Sequence, residues 1–226
     1  MMREITQSNN NTFSNLPLEK RLRIETALVS EFAAKGYQNA SLNTVVKALG
    51  IAKGSLYQYF SNKEAIFLHI FDHFVRAVKD MVQQPAESEP TDHDFWSVVR
   101  RTMLAGVAFV ERYPDYYQLY LNVLFEYDIP NREELISQVR LFSLDFFGPL
   151  ALQGQREGTV TSGVPVSMVV FLIDAALDRF LQGYARSYLD GGLNLAAKDG
   201  PALITEIDLL IETLKNGLTG QREYRI

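Results

Sequence analysis

The chain contains no cysteine. Disulfides, a thiolate nucleophile and cysteine-ligated zinc are therefore excluded. Histidine is scarce: any imidazole chemistry must use His69, His73 or His93. The first fifteen residues, MMREITQSNNNTFSN, lack the apolar stretch of an export signal. Long hydrophobic runs are also lacking. The run Met168–Ile173 is broken by Asp174, far short of the roughly 20 residues a membrane span requires. These absences lead to the expectation of a cytoplasmic protein with no membrane association. No phosphate loop, dinucleotide fingerprint or nucleophile elbow occurs, so no enzyme, cofactor or bound metal is expected.

What is present is an ordinary globular composition. The 226 residues are 47% hydrophobic and 22% charged, enough for one large domain or two small ones. The net charge of −5 is unevenly distributed, with +3 in residues 1–64 and −8 in the remainder. A basic N-terminal quarter on an acidic body fits a small nucleic-acid-binding head.

Hydrophobic periodicity is helical throughout, with no sustained alternation of period two, so the fold class is all-α with about nine helices. The polar stretch 1–15 reads as a disordered arm. A helix begins near Pro17, carries Leu18, Leu22, Leu28 and Phe32, and stops at Gly36. Ser41 caps a short helix that Gly50 ends, and Ser55 to Phe60 form another. Ser61 to Glu64 open a long helix through Ile66, Phe67, Ile70, Phe71, Phe74, Val78 and Met81. Gln84 to Asp92, with two prolines and three acids, reads as a loop. Further helices carry Trp96 to Val110, Tyr117 to Phe125 and Leu135 to Phe146. Gly154, Gly158 and Gly163 mark turns. Pro165 opens a helix expected to reach Tyr188, and Pro201 opens the last, to Leu218.

The most informative stretch is SLNTVVKALGIAKGSLYQYFSNKE, residues 41–64. Its spacing is that of helix, tight glycine turn and second short helix. Val45, Val46, Leu49, Ile51 and Leu56 can join the two helices. Lys53, Gly54, Ser55, Tyr57 and Gln58 are left outward, suited to phosphates and base edges. From these residues alone, a DNA-reading helix-turn-helix and a plain helical hairpin in a larger bundle both remain open.

Arg21, Ile24, Ala27, Phe32, Gly36-Tyr37, Ser41, Gly50, Gly54-Ser55-Leu56-Tyr57, Tyr59-Phe60 and Lys63-Glu64 together resemble the N-terminal domain of the TetR family of transcriptional regulators. The resemblance covers about residues 19–67; Val46 departs from it, where the family usually has alanine. It implies a recognition helix around Lys53–Tyr59. Ser41, Thr44 and Lys63 would then serve phosphates, and Tyr57 would meet a sugar-phosphate or a thymine methyl. Lys53, Ser55 and Gln58 would face bases, with Gly54 alongside, while Tyr59 and Phe60 pack the head. It also implies a homodimeric, ligand-responsive repressor on an inverted-repeat operator, residues 16–62 binding DNA and 63–226 binding ligand and dimerising, with 63–82 as connecting helix. A helical ligand-binding or protein-interaction module that does not read DNA, and an activator of the same fold, are the alternatives.

The remaining expectations concern the body. His69 and His73 are four apart but lack the zinc-protease glutamate between them, so they read as solvated or partner-facing. Asp174 and Asp178, four apart, could pair as a catalytic or cation-binding dyad; they are expected instead to meet arginines such as Arg179 or Arg186, or to line an interface, and facing a cavity they would indicate a cationic ligand. Sixteen of the 26 aromatic residues fall in 91–190, with Tyr113, Tyr116, Tyr117, Tyr120 and Tyr127 close together. A small, largely apolar effector is expected there, against Met103, Phe109, Tyr120, Phe142, Phe146, Phe171, Asp174 and Asp178. The last two helices are broadly apolar and are assigned the dimer interface, through Ile173, Leu177, Tyr184, Leu203, Ile207, Leu210, Ile211 and Leu214.

Overall fold

A computed structural model describes residues 13–83 and 94–217. Among these, nine α-helices occur and no strand: α1 Leu18–Asn39, α2 Leu42–Leu49, α3 Lys53–Tyr57, α4 Lys63–Gln83, α5 Phe95–Arg112, α6 Pro114–Phe125, α7 Arg132–Glu157, α8 Val166–Ala185 and α9 Gly200–Asn216. Short 3-10 turns at Ser187–Leu189 and Leu195–Ala197 lie between α8 and α9. The loop expected at 84–92, His93 and Leu218 lie outside the described residues, as does the expected arm through residue 12. The end of that arm is corrected: Phe13 is buried, its ring against Tyr59, Phe60 and His69.

The chain divides into two compact units. The first is Met1–Lys79 with Tyr113–Ser137; the second is Asp80–Arg112 with Gln138–Ile226. The first unit therefore extends beyond the three helices expected of a head. The reason is burial: α6 packs along α1 and sinks Leu119, Tyr120, Leu121 and Val123. The core of this unit joins Ile24, Leu28 and Phe32 of α1, Leu56, Phe60, and Ile66, Phe67, Ile70 and Phe71 of α4. Phe32 meets Phe67 edge-on at 5.3 Å, and Phe74 stacks on Tyr120 at 5.4 Å.

Gly36 interrupts α1 with φ 68° and ψ 174°, a conformation reserved in practice for glycine. The reversal leaves the carbonyls of Phe32 and Ala33 near a helix end, where intrahelical partners run out. Asn122 of α6, itself buried, donates its Nδ2 to both, at 3.2 and 3.1 Å.

In the second unit, Phe95, Val99 and Met103 of α5 pack with Phe147 and Ala151 of α7. Val170, Ile173 and Leu177 of α8 and Leu203, Ile207 and Ile211 of α9 complete this core. Two boundaries differ from expectation. Helix α7 runs through Pro149 and through Gly154, where a turn was expected, to Glu157; the lost backbone hydrogen bond is offset by burial of Phe147 and Ala151. Helix α8 stops at Ala185, three residues before Tyr188, which is exposed. Among the described residues, α7 is the one helix long and apolar enough, by length and composition, to cross a membrane.

Candidate nucleic-acid interface

Helices α2 and α3 are joined through a left-handed Gly50, φ 67°. Without a Cβ, glycine takes this conformation at no steric cost. Ser41 starts α2 as expected: its Oγ accepts from the Thr44 amide at 3.4 Å. Its own amide donates to Glu31 Oε1 of α1 at 2.8 Å, which braces α2 against α1. Val45, Val46 and Leu56 are buried between the helices, and Leu49 and Ile51 are half-buried.

This packing leaves one polar surface outward. Thr44, Gly54, Tyr57 and Gln58 are exposed, and Ser55 is half-buried. Lys53 opens α3, and its side chain lies outside the described residues. Phe60 is buried and Tyr59 half-buried. Lys63 differs from expectation. Its Nζ donates to the Gln38 carbonyl at 3.1 Å and lies over the Tyr37 ring at 5.1 Å. Burial lowers its pKa below the usual lysine range, and the Glu31 carboxylate opposes that shift. One of the three ammonium donors is thus committed to an internal carbonyl, which leaves two for a phosphate.

The histidines are also placed differently. His69 and His73 both aim Nε2 at the buried Glu25 Oε1, at 3.2 and 3.5 Å. They face inward because α4 packs its apolar face on the core and carries both rings with it. Glu25 was not singled out in the sequence; its place on the apolar side of α1, beside Ile24 and Leu28, is the one signal it offers.

Of the residues expected around an effector, several are spent on packing. Met103 and Phe109 are buried in the second unit. Tyr120 belongs to the first unit, stacked on Phe74. Phe171 is corrected outright: it is 65% exposed, since α8 turns Val170 and Ile173 to the core instead. Tyr127 of the tyrosine group is likewise 92% exposed. Phe142 and Phe146 remain half-buried and stacked at 5.8 Å. Asp174 and Asp178 are both paired with Arg140, at 2.8 and 2.6 Å, rather than with Arg179 or Arg186. Ser143 adds a hydrogen bond to Asp174 at 2.6 Å.

The expected interface residues need the same correction. Ile173, Leu177, Leu203, Ile207 and Ile211 are buried within the chain's own core, and Tyr184, Leu210 and Leu214 pack partly against it. The apolar side chains left outward are Met168, Phe171 and Leu172 on α8 and Ile204 and Leu209 on α9. Leu141, Leu144 and Leu152 do the same on α7.

A short helix presented on a braced partner, with hydroxyls, an amide and an aromatic ring outward, defines a helix-turn-helix DNA-binding regulator. The family model "Bacterial regulatory proteins, tetR family" matches residues 24–70. The chain is 23% identical over 189 residues to the probable acrEF/envCD operon repressor of Escherichia coli (strain K12), spanning 81% of this chain and 82% of that protein. It resembles the crystal structure of a TetR family transcriptional regulator from Chloroflexus aurantiacus J-10-FL. There the identity is 27% and the TM-score 0.70, over 92% of this chain and 96% of that one. The fold is shared with the regulator FadR from Bacillus subtilis, solved in complex with stearoyl-CoA. In that case the identity is 17% and the TM-score 0.66, over 88% and 99% of the two chains. Residues 24–70 thus carry the N-terminal domain described by the tetR family of bacterial regulatory proteins, and the chain as a whole is similar to regulators of that family.

Proposed function

We propose that this DNA-binding regulator acts as a homodimeric repressor on an inverted-repeat operator and leaves it when a small, largely apolar effector binds. The observation that carries the reading is the outward surface of Thr44, Ser55, Tyr57 and Gln58 on a buried helix-turn-helix brace. One short helix meets few base pairs, so two heads related by a two-fold axis suit a palindromic site. The outward apolar side chains of α8 and α9, Met168, Phe171, Leu172, Ile204 and Leu209, supply a surface for that dimer.

The effector site is assigned to the second unit, where half-buried Phe142 and Phe146 lie on the same helix as Arg140. Arg140 is shared by Asp174 and Asp178; both carboxylates are ion-paired but the three groups still sum to one negative charge, which favours a neutral effector contact there over an acidic one. Stearoyl-CoA is a suitable first probe, because the structurally similar FadR holds it. The effector weakens DNA binding only through a difference in affinity between two states, and the coupling is reciprocal. The protein regulates transcription in the cytoplasm and performs no catalysis.

Gel shifts over a palindrome library at several salt concentrations test the reading. The expected result is sequence-selective binding that weakens steeply with salt as lysines and arginines release counterions. Absence of sequence preference at every salt concentration overturns it.

A further inference from the structure

Glu25 lies within α1 with its side chain only 5% exposed, where DNA reading requires no carboxylate. His69 and His73, one turn apart on α4, converge on a single oxygen of that carboxylate. The three ligand atoms lie within 4.8 Å of one another.

We propose that Glu25, His69 and His73 form a binding site for one divalent transition-metal ion of the zinc class, which ties α1 to α4. A tetrahedral ion bound to nitrogen and oxygen at about 2.0–2.2 Å holds its ligands roughly 3.3 Å apart. The oxygen–nitrogen separations of 3.2 and 3.5 Å already match two edges of that tetrahedron. Two imidazoles and a carboxylate suit zinc, cobalt, nickel or copper; calcium and magnesium prefer oxygen alone. Three protein ligands leave a fourth position for water.

The surroundings favour a preformed site. The His69 ring is held between Phe13 at 5.1 Å and Phe60 at 5.0 Å, so little freedom is lost on coordination. His73 is 31% exposed and provides the route of entry. The buried carboxylate supplies the negative charge that a divalent ion requires. With the ion bound, the α1–α4 crossing is fixed by coordination bonds as well as by apolar packing. The proposal does not depend on the operator or effector assignments, and its test needs neither.

The test uses the full chain without a polyhistidine tag, stripped with chelator and titrated with cobalt(II) chloride. The expected result is one cobalt per chain with intense visible bands of tetrahedral coordination, displaced by zinc(II) chloride. One equivalent of zinc should also raise the thermal midpoint by several degrees. His73→Gln removes a ligand at a partly exposed position. It should leave the metal-free fold intact by circular dichroism and lower cobalt affinity by roughly 100-fold, since loss of even an outer partner costs about 10–100-fold. Glu25→Gln should abolish the tetrahedral spectrum. Failure to bind a stoichiometric cobalt ion overturns the proposal and leaves the cluster a hydrogen-bonded triad. Binding that is undiminished in His73→Gln places the ion elsewhere and overturns it equally.

Discussion

Individual side chains carry two kinds of consequence here, one for DNA and one for stability. Lys63 is tied to the Gln38 carbonyl and lies over Tyr37, whereas Gln58 is exposed on the outward surface. Lys63→Ala should therefore weaken binding to all sequences and lower the thermal midpoint as well. Gln58→Ala should leave stability unchanged and alter the preferred base, with a good base contact worth about 1–3 kcal/mol. Fluorescence anisotropy on a panel of single-base operator variants separates the two; a specificity change from Lys63→Ala alone reverses the assignment.

Two tyrosines contribute most visibly to alkaline behaviour. The Tyr184 hydroxyl donates to Glu111 at 2.6 Å, and burial first, then that hydrogen bond and charge, push its pKa up to about 12. Tyr116 is pushed up to about 12, by burial first and then by Glu25 and Tyr113. Both folded values exceed the ordinary 10.0, so the folded state holds these protons more tightly. The stability this contributes is complete below pH 10 and is lost as pH rises toward about 12. Urea midpoints should fall across that window, and less so in Tyr116→Phe/Tyr184→Phe. An identical fall in the double variant would show that other groups are responsible.

At the scale of elements, the kink in α1 is the most consequential feature. An alanine at Gly36 would need a conformation open in practice only to glycine, and its Cβ would collide with the Glu126 carboxylate. Gly36→Ala should cost at least about 1–3 kcal/mol. Asn122→Ala removes the donor that serves the Phe32 and Ala33 carbonyls and should cost about 1–3 kcal/mol. Because α1 also braces α2 through Glu31, both variants should lose operator affinity in parallel with stability. Denaturant unfolding checks the magnitudes, and full stability in Gly36→Ala would contradict the kink geometry.

At the scale of the whole molecule, the proposed dimer rests on the apolar side chains that the fold leaves outward. Phe171 is 65% exposed and Ile207 is 0% exposed. Phe171→Asp should keep full helicity yet lower the sedimenting mass from dimer to monomer and abolish operator binding. Ile207→Asp should unfold the second unit, because a buried unpaired charge costs several kcal/mol. A Phe171→Asp protein that remains dimeric would exclude this face of α8 from the interface.

What the chain determines locally, it determines within a few residues. Ser41 and Gly50 bound α2, Pro165 precedes α8, and the outward set on α3 follows from helical spacing, since caps and periodicity act over one or two turns. Arg140 meets carboxylates 34 and 38 residues away, and Asn122 reaches the Phe32 carbonyl across 90. No local pattern encodes those separations. On α9, Ile207 and Leu210 share one apolar stripe; Ile207 is fully buried and Leu210 only partly. Periodicity states that a helix has an apolar face, but only the neighbouring helices decide which part of that face is core and which part is left for a partner.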